Sequence, residues 1–273
     1  MAKISLLVIC LSLISCGDAE KKNSYSFFVA GHVYGSPGTS ERGLYKPFLV
    51  ELLKLDSVHY SFGVLTGDVV QNSTQEEWDI LESDLDYLGV DIHFSLGNHD
   101  YKKPKLIKRK FKKTFYCFYR ENDLHIILDP NLDEWNISGN QLEFLKETIK
   151  NNSELADNIF VYSHQLLWWA PDNKYHKIRI NSPEGRATKI NFWDEVAPLF
   201  RQLSIPVYMF AGDIGAAEWA DDYSFDLDEN IRFISSGMGE GKGDNFLNVK
   251  VLETKEVVIE LISIPSGKRI ILK

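Results

Sequence analysis

Apolar positions along the chain recur in two periods. "SYSFFVAGH", ending at His32, is a dense apolar and aromatic run and predicts a strand. Residues 46–55 place Phe48, Leu49, Leu52 and Leu53 at helical spacing. "YSFGVLTGD" (60–68) predicts a second strand, and residues 74–88 carry Trp78, Leu81, Leu85 and Leu88 on one helical face. "VDIHFSLGNHD" (90–100) predicts a third strand. Strands alternating with single helices imply βαβ units and a buried, mostly parallel sheet.

The pattern then changes. "FYCFYRENDLHIILD" predicts two adjacent strands joined by a turn at Glu121-Asn122-Asp123. A helix near 139–150 precedes the strand "NIFVYSH", and residues 170–190 are polar and irregular. A helix over 192–203 leads into the strand "VYMFAGD". From about residue 230 the chain is a run of strands: "IRFISS", "FLNVKVLE", "EVVIELISI" and "RIILK". No internal repeat and no splitting linker interrupts it.

Several strands end in polar residues: Gly67-Asp68, Gly97-Asn98-His99-Asp100, Ser163-His164-Gln165 and Gly212-Asp213-Ile214-Gly215. Groups just past the carboxyl ends of strands in an open α/β sheet converge on one crevice. Glycine at those ends lets backbone approach closely. One polar strand end carries little meaning; this many, in order, predict a site.

On these motifs the chain resembles the calcineurin-like metallophosphoesterases from about residue 25 to 265. "GNHD" is the most specific match, with "TGD" before it and "YSHQ" after it in the family's order. The resemblance implies an α/β four-layer sandwich, two packed mixed β-sheets flanked by helices, with two metals at the strand ends. It also implies hydrolysis of phosphomonoesters or phosphodiesters.

Two departures bear on the metals. The family's first motif, Asp-any-His, is here Ala30-Gly31-His32, and its last, Gly-His-any-His, is Gly212-Asp213-Ile214-Gly215. Mapped onto the family's ligand sets, one metal position keeps only His32 and Asp68. The other keeps Asp68, Asn98 and His164, with Asp213 in place of an imidazole. Two ligands rarely hold a divalent ion well, whereas three or four do. The expectation is one principal metal on an oxygen-rich set, Mn²⁺ or Mg²⁺ ahead of Ca²⁺, Fe or Zn²⁺. His32 then binds a substrate phosphate or water, pairs with Asp213, or has no task. The resemblance makes His99 the general acid, with Asp100 orienting it through the other ring nitrogen. Two readings stand: a phosphoesterase with one metal, and a catalytically degenerate relative that binds an envelope glycan, lipid or protein.

Other segments are read against plainer alternatives. "KKPKLIKRKFKK" (102–113) holds eight basic residues in twelve. It is either a solvated loop or a positive rim, with Lys102 and Lys103 nearest the site, that draws an anionic substrate or lipid headgroups. Trp168-Trp169 anchor the core or stack on a sugar or base beside the site. Arg186 lies between the fourth and fifth motifs, where substrate contacts are expected. "SSGMGEGKGDN" (235–245) lacks Gly-Lys-Ser/Thr and precedes a strand, so it reads as a rim loop and not a phosphate loop.

Composition adds address and limits. The 273 residues are 44% hydrophobic and carry a net charge of −9, which gives no reason to expect nucleic acid as a partner. "MAKISLLVICLSLISCG" has a basic start and about a dozen apolar residues, too short to span a bilayer and typical of a signal peptide. Its end resembles the bacterial lipobox, which implies a signal over 1–15, lipidation at Cys16, a polar tether over 16–24 and one domain over 25–273. The expected location is extracytoplasmic, with the membrane as a partner through the lipid. Cys10 leaves with the signal and Cys16 carries the lipid, so Cys117 stands alone and reads as a small buried apolar side chain.

Overall fold

The computed structural model describes residues 23–55 and 60–273. The signal segment and Cys16 lie outside the described residues. Among the described residues, no helix is long and apolar enough to cross a membrane.

Two six-stranded mixed sheets face each other. The first runs in the order β12-β11-β10-β1-β2-β3 and the second β4-β5-β6-β7-β9-β8. In the first, β1 (Tyr25–Ala30), β2 (Tyr60–Leu65) and β3 (Ile92–Phe94) are parallel, and β10 (Asn245–Val251), β11 (Val257–Ser263) and β12 (Arg269–Leu272) extend it antiparallel. In the second, β5 (Asp123–Ile127), β6 (Ile159–Ser163), β7 (Val207–Ala211) and β9 (Ile231–Ser236) are parallel. β4 (Tyr116–Arg120) and β8 (Tyr223–Asp228) form its antiparallel edges.

The apolar run of β1 reflects cover on both faces. Phe27 and Val29 point between the sheets, into an aromatic layer with Phe62, Phe160, Tyr162 and Phe210. Phe28 and Ala30 point the other way, under α1 (Lys46–Lys54) and α2 (Gln75–Leu88), where Phe48, Trp78 and Leu81 close the core. A third cluster seals the outer face of the second sheet under α4 (Gly139–Asn152) and α5 (Ala197–Arg201). The result is the expected four-layer sandwich. Its helix starts follow local chemistry: Thr74 caps α2 reciprocally with Glu77, and Gly89 ends that helix in the left-handed region.

Several expectations need correction. The third strand is only Ile92–Phe94, because the chain leaves the ladder to build the GNHD turn. Residues 192–196 form a π turn ahead of α5, since Pro198 has no N–H to continue an α ladder. The basic segment is not a loop: it contains α3 (Pro104–Lys110), held by buried Ile107. The edge strand β8 is not among the expected strands, because Ser224, Asp226 and Asp228 alternate with Tyr223, Phe225 and Leu227 and break the apolar run; only Phe225 packs on the inter-sheet core, while Tyr223 and Leu227 are exposed. Cys117 is half-buried.

Candidate functional site

The carboxyl ends of β1, β2, β6 and β7 and the turn after β3 meet along one edge of the facing sheets. Their glycines permit the approach. A Cβ on Gly67, whose φ is +82°, would stand 2.4 Å from Nδ1 of His164, and one on Gly97 would stand 2.2 Å from Oδ1 of Asp68. His32 and Asp68 both hold left-handed backbones, φ 57° and 50°. Such strain persists where surrounding structure over-determines it and is common at functional sites.

His164 is the centre of the cluster. Its Nδ1 lies 2.9 Å from the Thr66 carbonyl, so Nδ1–H donates there and Nε2 turns toward oxygen. Nε2 lies 3.2 Å from Oδ1 of Asn98, 3.5 Å from Oδ1 of Asp68 and 3.9 Å from Oδ1 of Asp213. The structure therefore brings together the four residues singled out as metal ligands. Ligands sharing one Mg²⁺-sized ion at about 2.1 Å stand about 3 Å apart, so Asp213 sits wider than that. Among the described residues, no group of three or more His, Cys, Asp or Glu side chains is set to hold a metal; one of the closer donors here is an amide. The donor set, with its carboxylates, amide oxygen and single imidazole, fits a hard divalent ion by chemistry.

The electrostatics follow from burial. Desolvation pushes Asp213 up to about 7, against His164 and with a further rise from Asp68. Desolvation also works on Asp68, but His164 and His32 overcome it and hold that carboxyl below its ordinary range. Burial opposes the charge on His164, yet Asp68 and Asp213 raise it above its ordinary value. His32 is lowered to about 4 by burial, which the Asp68 carboxylate only partly offsets.

His32 faces Asp68, with Nε2 3.7 Å from Oδ2, and not Asp213. Asp68 thus touches imidazoles with both oxygens and also accepts the His99 amide at 3.0 Å. Tyr34, which the sequence did not single out, packs its ring 4.3 Å from that of His32 and 5.2 Å from that of His99. Its hydroxyl is buried with no partner among the described residues, and so is Nδ1 of His32. Burial, then Asp68, Asp100 and Asp213, raise the phenol far above its ordinary value.

Asp100 does not orient His99. Its Oδ1 accepts the amides of Val69 and Val70 at 3.0 and 3.1 Å, and its Oδ2 accepts Gly97 at 2.8 Å. It ties the turn after β2 to the turn after β3. Burial, then Asp68, push its carboxyl up to about 7 against those amide bonds. His99 is held instead by the Gln71 carbonyl, 2.9 Å from Nδ1, with Nζ of Lys102 3.0 Å from the same nitrogen. Main-chain partners of this kind leave no trace in a sequence.

The proposed rim is corrected in part. Trp168 is wholly buried against Phe233 and cannot meet a substrate. Trp169 is half-buried and donates to the Ile178 carbonyl at 3.0 Å. Arg186 stacks over Trp135 and Trp169 and donates to the carbonyls of Ala187 and Thr188, so it braces a loop. Lys102 stands beside His99, while Lys103 is exposed ahead of α3. The aromatic side chain that does reach solvent on this side is Trp219, 65% exposed, whose indole lies 3.3 Å from the Asn181 carbonyl. The Asn181 main-chain amide also donates to the Asp213 carbonyl at 3.3 Å. The 235–245 loop binds its own amides: Gly239 and Gly241 donate to Asp244, and Lys242 and Gly243 donate to Glu240. Its acids leave no cradle for phosphate.

No protein-family model matches the chain, and no curated protein matches it. Solved structures do. A dimetal phosphatase from Danio rerio superposes with a TM-score of 0.62 at 16% identity, over 91% of this chain and 99% of that one. A purple acid phosphatase from yellow lupin (Lupinus luteus) seeds gives 0.65 at 11% identity, over 91% of this chain and 53% of that one, so the chain spans about half the lupin enzyme. The fold is the metallophosphoesterase fold.

Proposed function

We propose that the chain is a metal-dependent phosphoesterase working with one principal divalent ion, Mn²⁺ or Mg²⁺, on Asp68, Asn98, His164 and Asp213. The observation that carries this reading is His164: its tautomer is fixed by Thr66, and its Nε2 faces three oxygens at 3.2 to 3.9 Å. When bound, the ion supplies Lewis-acid polarisation of a phosphoryl oxygen.

The chain's own residues do the rest. His99, anchored through Nδ1, has Nε2 free of partners among the described residues and delivers a proton to the leaving oxygen. His32 and Tyr34 stand where the second-metal ligands are missing. With Nε2–H of His32 toward the Asp68 carboxylate, the Tyr34 hydroxyl is the neutral donor for a phosphoryl oxygen there. A fixed donor in a buried site recovers part of the charge stabilisation that a second cation gives. Trp219 offers a stacking surface at the mouth. The N-terminal sequence supports an extracytoplasmic, lipid-anchored location and hence an envelope-derived phosphate ester.

The wide stance of Asp213 favours a second reading, in which the crevice binds a phosphorylated envelope glycan, lipid or protein without hydrolysis. Turnover of bis(4-nitrophenyl) phosphate with Mn²⁺, alongside metal content, separates the two. About one Mn²⁺ per chain, lost in Asp213→Ala, with turnover abolished by Asp68→Asn, supports the enzyme. Retained metal with no turnover of mono- or diesters supports the binding protein. Turnover that survives Asp68→Asn overturns the site.

A further inference from the structure

A second concavity shares no lining residue with the crevice. It encloses about 710 Å³ between the basic segment, β4 and the start of α4, within the range of roughly 300–1,000 Å³ common for small-ligand sites. Its floor is aromatic and sulfur-bearing: Phe111, Phe115, Tyr116, Cys117 and Phe144, with the Phe115 and Phe144 rings 5.4 Å apart. Leu132 stands half-exposed in its lining.

The charge around it is one-sided. Lys108, Lys112 and Lys113 line the cavity, and no Asp or Glu does. Neighbouring Lys110 pairs with Glu82, and Arg109 donates to Gln75. None of the three lining lysines forms an ion pair with a described residue. In a chain of net charge −9, three uncompensated ammonium groups around an apolar floor are a local inversion of the protein's field.

We propose that this cavity binds a single-chain anionic amphiphile, with its tail on the aromatic floor and its carboxylate or phosphate-type head against Lys108, Lys112 and Lys113. An inorganic anion would leave the apolar floor in water, and a neutral or cationic amphiphile would leave the lysines unmatched. The lysine stems cover apolar surface while their heads stay wet, which suits a ligand that is apolar within and charged at the mouth. This site stands independently of the phosphoesterase reading.

Calorimetric titration of the full-length protein tests it, with dodecylphosphonate and dodecanoate below their micellar concentrations. The phosphonate C–P bond is not a phosphate ester, so hydrolysis does not confuse the result. Both anions are expected to bind at micromolar concentration. Dodecyltrimethylammonium and orthophosphate are expected to bind at least tenfold more weakly. Affinity is expected to rise by up to about fourfold for each methylene added between eight and twelve carbons. A Lys108→Glu/Lys112→Glu/Lys113→Glu variant, surface-confined and checked by circular dichroism, is expected to lose tenfold or more. Leu132→Asp is expected to weaken binding without touching the lysines. No binding by the natural chain overturns the proposal, as does equal binding of the cationic amphiphile or unchanged affinity in the triple variant. Binding only to anionic phosphatidylglycerol vesicles also overturns it and makes the lysines a membrane-facing patch.

Discussion

Nδ1 of His164 and the carbonyl oxygen of Thr66 stand 2.9 Å apart, across the gap between the two sheets. Thr66 follows β2 of the first sheet, and His164 follows β6 of the second. The bond therefore registers one sheet against the other at the point where the crevice opens, and the same bond selects which ring nitrogen faces Asp68, Asn98 and Asp213.

Gly67 protects that relationship. Gly67→Ala would drive a Cβ to 2.4 Å from the His164 ring on a φ of +82°. Such overpacking costs about 1–3 kcal/mol of stability, and it displaces the central imidazole. Metal retention and turnover are expected to fall together. Gly89→Ala is the control: its φ is +63° but no atom lies within 4 Å, so it is expected to lose about 1 kcal/mol and no activity. Urea unfolding and turnover of the two variants check this.

Asp100 and His99 are adjacent in sequence and separate in role. Asp100→Ala leaves the buried amides of Val69, Val70 and Gly97 without their acceptor. The expected cost is about 3 kcal/mol or more, at about 1–3 kcal/mol per orphaned group. His99→Ala is expected to melt within a few degrees of the natural chain and to lose about 10²–10⁴-fold in kcat. Thermal melts beside turnover measure both. An Asp100→Ala protein as stable as the parent would remove its structural role.

Tyr34→Phe deletes a buried hydroxyl that has no partner among the described residues. Stability is expected to hold or rise, because an unpaired buried hydroxyl is a cost to the fold. Metal content is expected to stay unchanged, while kcat falls about tenfold or more through loss of a transition-state donor. A variant with unaltered kcat would leave Tyr34 as packing for His32 and His99.

The inter-sheet core predicts a pH dependence. Burial lowers His93 to about 4, and it lowers His125, fully buried between Phe118 and Phe160, well below its ordinary value. Both are neutral in the folded chain, whereas the unfolded chain protonates them near pH 6.5. Below that pH the unfolded state binds more protons at these two sites, so their contribution to stability is whole above about 6.5 and falls as pH drops toward 4. Each histidine contributes a slope of up to about 1.4 kcal/mol per pH unit. The gap between urea midpoints at pH 7.5 and 5.0 is expected to change by the contribution of these two sites in a His93→Phe/His125→Phe variant; an unchanged gap would rule these histidines out.

Much of this molecule is set by local pattern. Unbroken apolar runs such as "SFFVA" require cover on both faces, and helical stripes through Trp78 and Leu145 supply it. Glycines before polar residues mark the strand ends where a crevice can form. Ala30, Asp213 and Gly215 are visible as letters that depart from the motifs the chain resembles, and the expectation of one metal rests on them. Those features are legible because burial period and backbone freedom are properties of a few neighbouring residues.

Partners across the fold are not. The pairing of Asp100 with three amides, of His99 and Lys102 with the Gln71 carbonyl, and of Tyr34 with two imidazoles depends on how the turns after β1, β2 and β3 lie against one another. Trp168 and Trp219 make the same point from opposite sides: the tandem tryptophan was the conspicuous one, yet it fills the core, and the single one reaches solvent. A side chain's neighbours 30 or 100 residues away follow from sheet register and loop path, which no window of sequence contains.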